Sequence, residues 1–293
     1  VYLDYHATTP VDPRVVEAML PYFTDIFGNP ASSGHAWGWQ AQNAVEVARG
    51  EVASLIGAQA RDITFTSGAT ESNNFALKGL SRAVAPGRRH LVVSAIEHKS
   101  VLEGAMAQAA SGWRVTVVPV RPDGRLDLDG LAAAVGPETA LVSVMAASNE
   151  IGVTQPLADI AAIAHDAGAL LHTDAAQAAG KIPIDVAAQG IDFLSLTGHK
   201  MYGPKGAGAI YIRRPLKLDP LLVGGGQERG VRSGTLNVPG IVGLGRAAAI
   251  AQHDMAAEAA RLAALRNRLL AGLEDRVGGI AVNGSMTTGC RTT

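Results

Sequence analysis

The chain has 293 residues, a formal net charge of −1, 47% hydrophobic and 17% charged residues, and a single cysteine, Cys290. A lone cysteine excludes an intrachain disulfide framework, and near-zero charge leaves no electrostatic footprint for nucleic acid. The apolar content is too high for a disordered chain, no run reaches the ~20 apolar residues of a membrane helix, and Val1-Tyr2-Leu3-Asp4 opens neither a signal peptide nor a transit segment. The expectation is a cytoplasmic protein with one large domain or one and a fraction. Thirty-four glycines and only 4% aromatics suit an α/β protein with many tight turns and loop-borne contacts.

In chain order, Asp12-Pro13 reads as a helix cap and first residue, followed by Val15, Val16, Met19, Leu20 and Phe23 at helical spacing. A second helix spans Ala41 to Ile56 and stops at Gly57. Seven short apolar runs then read as strands: Ile63–Thr66, Leu91–Ser94, Val115–Val118, Leu141–Val144, Leu170–Thr173, Phe193–Leu196 and Gly208–Ile212. Most are unbroken rather than alternating, which predicts a mainly parallel sheet covered on both faces. Helices at Thr70–Leu80, Ser100–Ala110, Leu128–Val135 and Ala158–Ala167 fill the crossovers. A long helix runs from about Val238 to Leu273, with a break or bend near His253. Gly279 to Gly284 reads as a strand and turn opening a new unit.

Polar residues follow the strands at one end. Thr70 follows the first, His98 the second, Asn149 the fourth, Asp174 and Gln177 the fifth, and His199 and Lys200 the sixth. Ligands in open α/β sheets sit outside the carboxyl ends of the strands. Each residue taken singly has an ordinary structural use: an Asp caps a helix, a His fills a surface, a His-Lys pair makes a basic turn. Five strands delivering such groups to one edge is harder to assign to structure alone.

Lysine, aspartate, histidine and a phosphate-type turn together suit pyridoxal 5'-phosphate, which is held on a lysine as a Schiff base with an acidic partner at its ring nitrogen. Lys200 is the candidate lysine, and Asp174 the candidate partner that keeps the ring nitrogen protonated. Gln177 can donate to the phenolate oxygen. His98 can stack on the ring and take part in proton transfer. Ser67-Gly68-Ala69-Thr70-Glu71-Ser72 joins a strand to a helix whose N-terminus would bind the phosphate. No metal site is expected.

Several segments carry a family resemblance: Tyr2–Pro10, Gly28–Ser33, Thr66–Ser72, Glu97-His98-Lys99, Asn149–Gly152, His172–Gln177, Thr197–Gly206 and Gly224–Thr235. Their order and spacing, to about Gly284, resemble the cysteine desulfurases of the NifS/IscS type. The resemblance implies a fold-type I pyridoxal-phosphate transferase acting as a homodimer. It implies a mainly parallel seven-stranded sheet between helices, with a large domain over 13–255. A small α+β domain, formed by 1–12 with 256–293, is expected to be incomplete. The implied catalytic residues are Lys200 and His98. The implied cofactor-binding set is Ala69, Thr70, His98, Asn149, Asp174, Gln177, Thr197, His199, Lys200 and Thr235, with Thr235 reaching the partner subunit's cofactor. The implied reaction converts L-cysteine to L-alanine. Its sulfur is held as a persulfide on a catalytic cysteine and passed to an iron–sulfur scaffold or another acceptor protein, with no nucleic acid or membrane involved.

The family's nucleophilic cysteine and substrate-clamping arginine lie further along a complete small domain. Cys290 stands too close to Val282-Asn283-Gly284 to be that cysteine, and Thr287–Thr293 does not build the strand that the family has there. The expectation is therefore a C-terminally truncated chain, by a frameshift near Met286, a cut or a partial record; the gene sequence decides among these. Two rival readings stay open: an inactive pyridoxal-phosphate-binding or dimerising remnant, and a selenocysteine lyase or aminotransferase of the same fold. A nucleotide-binding role for Gly224–Gly230 has little support, because the run does not open a helix after a first strand.

Overall fold

The computed structural model describes residues 1–285 of the chain; Cys290 and the tail Thr287–Thr293 lie outside them. The first helix, α1 (Pro13–Met19), starts as the sequence predicts: Pro13 takes the first position and Asp12 Oδ1 accepts the Arg14 N–H at 2.8 Å. It does not continue through Phe23. Pro21 lacks the N–H that an uninterrupted helix needs, so the chain restarts as the single turn α2 (Pro21–Thr24). Leu20 and Phe23 are exposed. The next helix, α3 (Ala36–Leu55), begins five residues before the expected start, because His35 Nδ1 accepts the Gly38 N–H and serves as its cap.

All seven expected strands are present, their ends shifted by no more than two residues. In chain order the structure runs β1 (Ile63–Thr66), α4 (Ala69–Lys78), β2 (His90–Ser94), α5 (Lys99–Ala110), β3 (Arg114–Val118), α6 (Leu128–Ala134), β4 (Thr139–Ser143), α7 (Leu157–Asp166), β5 (Leu170–Asp174), β6 (Phe193–Thr197), β7 (Gly208–Ile212) and α8 (Val238–Val277). They form one sheet in the order β1-β7-β6-β5-β4-β2-β3. Only β7 runs against its neighbours; the other six share one direction, so their carboxyl ends lie along a single edge. The register sets Gly208, the first residue of β7, between Thr66 at the end of β1 and Thr197 at the end of β6.

The unbroken apolar runs bury both faces of the sheet. One core gathers Val92, Val142, Leu171 and Leu194 against α3, α7 and the start of α8. The other gathers Leu91, Val93, Leu141, Phe193 and Ile210 against Phe75 and Leu77 of α4 and Val101 of α5. Alternation along each strand supplies the two sets. Helices α3 and α8 approach closely where Gly245 faces Ala48: a Cβ on Gly245 would lie 2.5 Å from the Ala48 Cα.

Two expectations near the C-terminal side are corrected. The long helix is one 40-residue element that runs through His253 without a break. Between Gly245 and Gly272 it holds no proline or glycine, so nothing interrupts its hydrogen-bond ladder. Gly279 to Gly284 forms no strand. Gly278, Gly279 and Gly284 all have positive φ, and no neighbouring strand among the described residues offers it a ladder. The buried residues of α8 end at Ala248, while Leu265, Leu269 and Leu273 form an exposed apolar row one turn apart. No helix among the described residues is long and apolar enough to cross a membrane.

Candidate active site

The shared strand edge opens into a cleft of about 670 Å³. Nine of the ten expected site residues line it: Ala69, Thr70, His98, Asn149, Asp174, Gln177, Thr197, His199 and Lys200. Thr235 is not among the lining residues and is exposed on the chain's surface.

One end of the cleft is the turn from β1 into α4. Gly68 is the cap residue at φ +152°, a backbone setting open chiefly to glycine. The helix start leaves its first N–H groups without partners inside the helix, and Ala69 and Thr70 present this end to the cleft. Thr197 and His199 approach from the end of β6.

The acid at the centre is Asp174, the last residue of β5, buried to 4% exposure. Its Oδ1 accepts the Ala176 N–H at 2.9 Å, and its Oδ2 accepts from Asn73 Nδ2 at 2.7 Å. Burial pushes this carboxyl above its ordinary value; the two hydrogen bonds and the charges of His98 and Lys200 pull it part of the way back. Asn73 also donates to Ser100 Oγ, which in turn contacts His98 Nδ1 at 2.8 Å. That nitrogen accepts the Ser100 N–H as well, so His98 is at once the cap of α5 and a wall of the cleft.

Lys200 ends a short 3-10 turn after β6. Its Nζ donates to the carbonyl oxygens of His6 and, at 2.9 Å, Ala7. Burial lowers its pKa, opposed by the charges of Asp4 and Asp174. His199 is lowered too, by burial first and then by Lys200 and Lys205. The N-terminal segment straps this turn: the Thr9 N–H donates to the His199 carbonyl at 3.0 Å, and Thr8 Oγ1 lies 3.1 Å from His199 Nδ1. Gln177 donates to the His6 carbonyl and accepts from Lys181 Nζ at 2.7 Å. Asn149 donates to the neighbouring Glu150.

Several of these groups carry little signal in the sequence. Asn73 stands four residues after Ala69, which places both on one face of α4; that spacing was the available signal. Asp4, His6 and Ala7 also line the cleft, and only the Tyr2–Pro10 resemblance pointed to them. Glu97 is buried beneath the site. Its Oε1 accepts the Met145 N–H at 2.6 Å and its Oε2 has no hydrogen-bond partner. Burial, with the nearby Asp174, raises it well above the usual carboxylate range.

An amine, a buried carboxylate and a helix start thus face one cleft, which fits a phosphorylated carbonyl cofactor: the helix start for the phosphate, the amine for the carbonyl, the carboxylate for a protonated ring nitrogen. The aminotransferase class-V family pattern matches residues 1–293, and the chain belongs to that family. It is 55% identical over 288 residues to the cysteine desulfurase IscS of Anaeromyxobacter dehalogenans (strain 2CP-C), covering 98% of this chain and 71% of that protein. Among solved structures, a NifS-like protein superposes with a TM-score of 0.95 at 41% identity, over 99% of this chain and 80% of the other. SspA in complex with cysteine gives 0.80 at 44% identity, over 84% and 72%. Within the class-V family the chain therefore stands with the IscS and NifS-like cysteine desulfurases, enzymes that use pyridoxal phosphate.

Proposed function

We propose that this cleft holds pyridoxal 5'-phosphate and that its chemistry is directed at L-cysteine, releasing the sulfur and leaving L-alanine. The observation that carries this is the meeting of Lys200, Asp174 and the first turn of α4 in one cleft. When bound, the cofactor supplies an electron sink for bond breaking at the substrate α-carbon. Lys200 is the attachment point, and its burial-lowered pKa favours the neutral amine that can bond a carbonyl and move a proton at the substrate α-carbon. Asp174 holds a positive ring nitrogen. Gln177 orients the phenolate oxygen, and His98 stacks on the ring. Ala69, Thr70, Thr197 and His199 hold the phosphate, and Asn149 stands near the substrate.

Thr235 is proposed to serve the partner subunit's site in a homodimer. The sulfur is proposed to leave as a persulfide on a thiol and pass to an acceptor protein for iron–sulfur cluster or thio-cofactor synthesis. Residues 1–285 contain no cysteine, and Cys290 is the sole thiol of the sequence. That observation favours a second reading for the isolated 293-residue chain: it binds the cofactor and turns over little cysteine. Both readings require an absorbance band of bound pyridoxal phosphate distinct from that of the free cofactor, lost in Lys200→Ala. A folded sample incubated with pyridoxal phosphate that shows no such band would overturn them. Alanine production from cysteine then separates the two.

A further inference from the structure

Glu71 lines the end of the cleft assigned above to the phosphate, yet it carries a carboxylate. It is the third residue of α4, whose cap, Gly68, has no side chain to accept a backbone N–H. Glu71 Oε2 instead accepts the N–H of Ser67, the residue before the cap, at 2.8 Å. Its side chain is only 13% exposed. Burial alone would raise its pKa, but hydrogen bonds from Arg232 and Ser67 outweigh this and hold it below the ordinary value. The turn is thus tied down by an anion at the place where a phosphate would sit.

Arg232 answers that charge. Its Nε donates to Glu71 Oε1 at 2.8 Å and its Nη2 to Oε2 at 3.2 Å, a two-point grip that fixes the carboxylate plane. The arginine does not hang from a loose loop. Four residues before it, Glu228 is buried and accepts both Arg49 terminal nitrogens and the Phe65 N–H, each at 2.8 Å. The adjacent Arg229 donates to the Ile63 carbonyl at 2.6 Å. These contacts clamp the segment to β1, the strand whose end becomes the Ser67-Gly68 turn.

We infer that Arg232 is a positioning and charge-compensating residue for the phosphate end of the cleft: it neutralises Glu71, so that the carboxylate can hold the Ser67 turn without repelling a bound phosphate. The inference rests on the cofactor reading above.

The test compares pyridoxal phosphate with pyridoxal, which lacks the phosphate, by spectroscopic titration of the full chain after its cofactor has been removed. The wild type should bind the phosphorylated form more tightly. R232Q should weaken pyridoxal phosphate about tenfold or more, the scale of an uncompensated and largely buried carboxylate, and pyridoxal less than about threefold. The double variant E71Q/R232Q, with neither charge, should return to within about threefold of the wild type for pyridoxal phosphate. It also guards against R232Q failing to fold, as does E71Q alone, which should keep wild-type affinity or exceed it. Equal loss for both ligands in R232Q, or no recovery in the double variant, would overturn the inference and leave the cofactor reading intact. A wild type that does not distinguish the two ligands would overturn both.

Discussion

Asn73 Nδ2 donates to Asp174 Oδ2 at 2.7 Å, joining α4, the first helix of the cleft, to the acid at its centre. The same amide reaches Ser100, and Ser100 reaches His98, so one buried network spans α4, β5 and α5. Asn73→Leu removes the donor and leaves a buried carboxylate oxygen unpaired. The expected loss is about 1–3 kcal/mol of unfolding free energy in urea. A stability equal to wild type would show that water or a rearranged neighbour replaces the amide.

His172 lies buried on β5 between two serines, with Nδ1 2.8 Å from Ser143 Oγ and Nε2 3.0 Å from Ser195 Oγ. Burial pushes its pKa down to about 3. An unfolded histidine titrates near ~6.5. Between those values the unfolded state holds the extra proton, so stability falls as pH drops through that window, by at most about 1.4 kcal/mol per pH unit. The stability difference between wild type and His172→Asn, measured in urea from pH 7 towards pH 4, should shrink or reverse on acidification. A pH-independent difference would contradict the assignment.

The Arg49–Glu228 pair is an ion pair with both side chains at 4% exposure or less. Arg49 also lies over the Phe65 ring at 4.7 Å. Removing one partner strands a charge, so Arg49→Met should cost about 3–5 kcal/mol. Arg49→Met combined with Glu228→Gln should cost less than the two single changes together. Denaturant unfolding of the three variants reads this directly, and strict additivity would argue against a coupled pair.

Gly208 faces backbone on two sides: a Cβ there would lie 2.5 Å from Gly68 Cα and 2.7 Å from the Leu196 carbonyl oxygen. No side-chain rotation relieves such a clash. Gly208→Ala should therefore cost about 1–3 kcal/mol and also weaken pyridoxal phosphate binding, because Gly68 caps α4. Gly50 in α3 has open space at its Cβ, so Gly50→Ala should stabilise by about 0.5–1 kcal/mol. Equal effects at the two glycines would remove the steric argument.

The strands were legible because each is a short apolar run such as Leu91–Ser94 or Phe193–Leu196, and a run covered on both faces needs no knowledge of its neighbours to be read. Lys200, Asp174 and His98 were legible because each stands at or just past a strand end. The helix limits were less so. Pro21 divides a periodic pattern that looks continuous, and the absence of any breaker around His253 carries α8 straight through. Gly279 to Gly284 has the composition of a strand but no partner strand among the described residues.

Local sequence, then, determined where the chain turns from strand to helix and which reactive groups stand at those turns, since both follow from preferences acting over a few residues. Tertiary structure decided the partnerships. Asn73 meets Asp174 across 101 residues, Arg232 meets Glu71 across 161, and Lys200 meets His6 across 194. Each depends on the order β1-β7-β6-β5-β4-β2-β3, which sets β1 and the ends of β5 and β6 around one cleft. No short window of sequence contains that order, because it is fixed by how whole strands and helices bury their faces against one another.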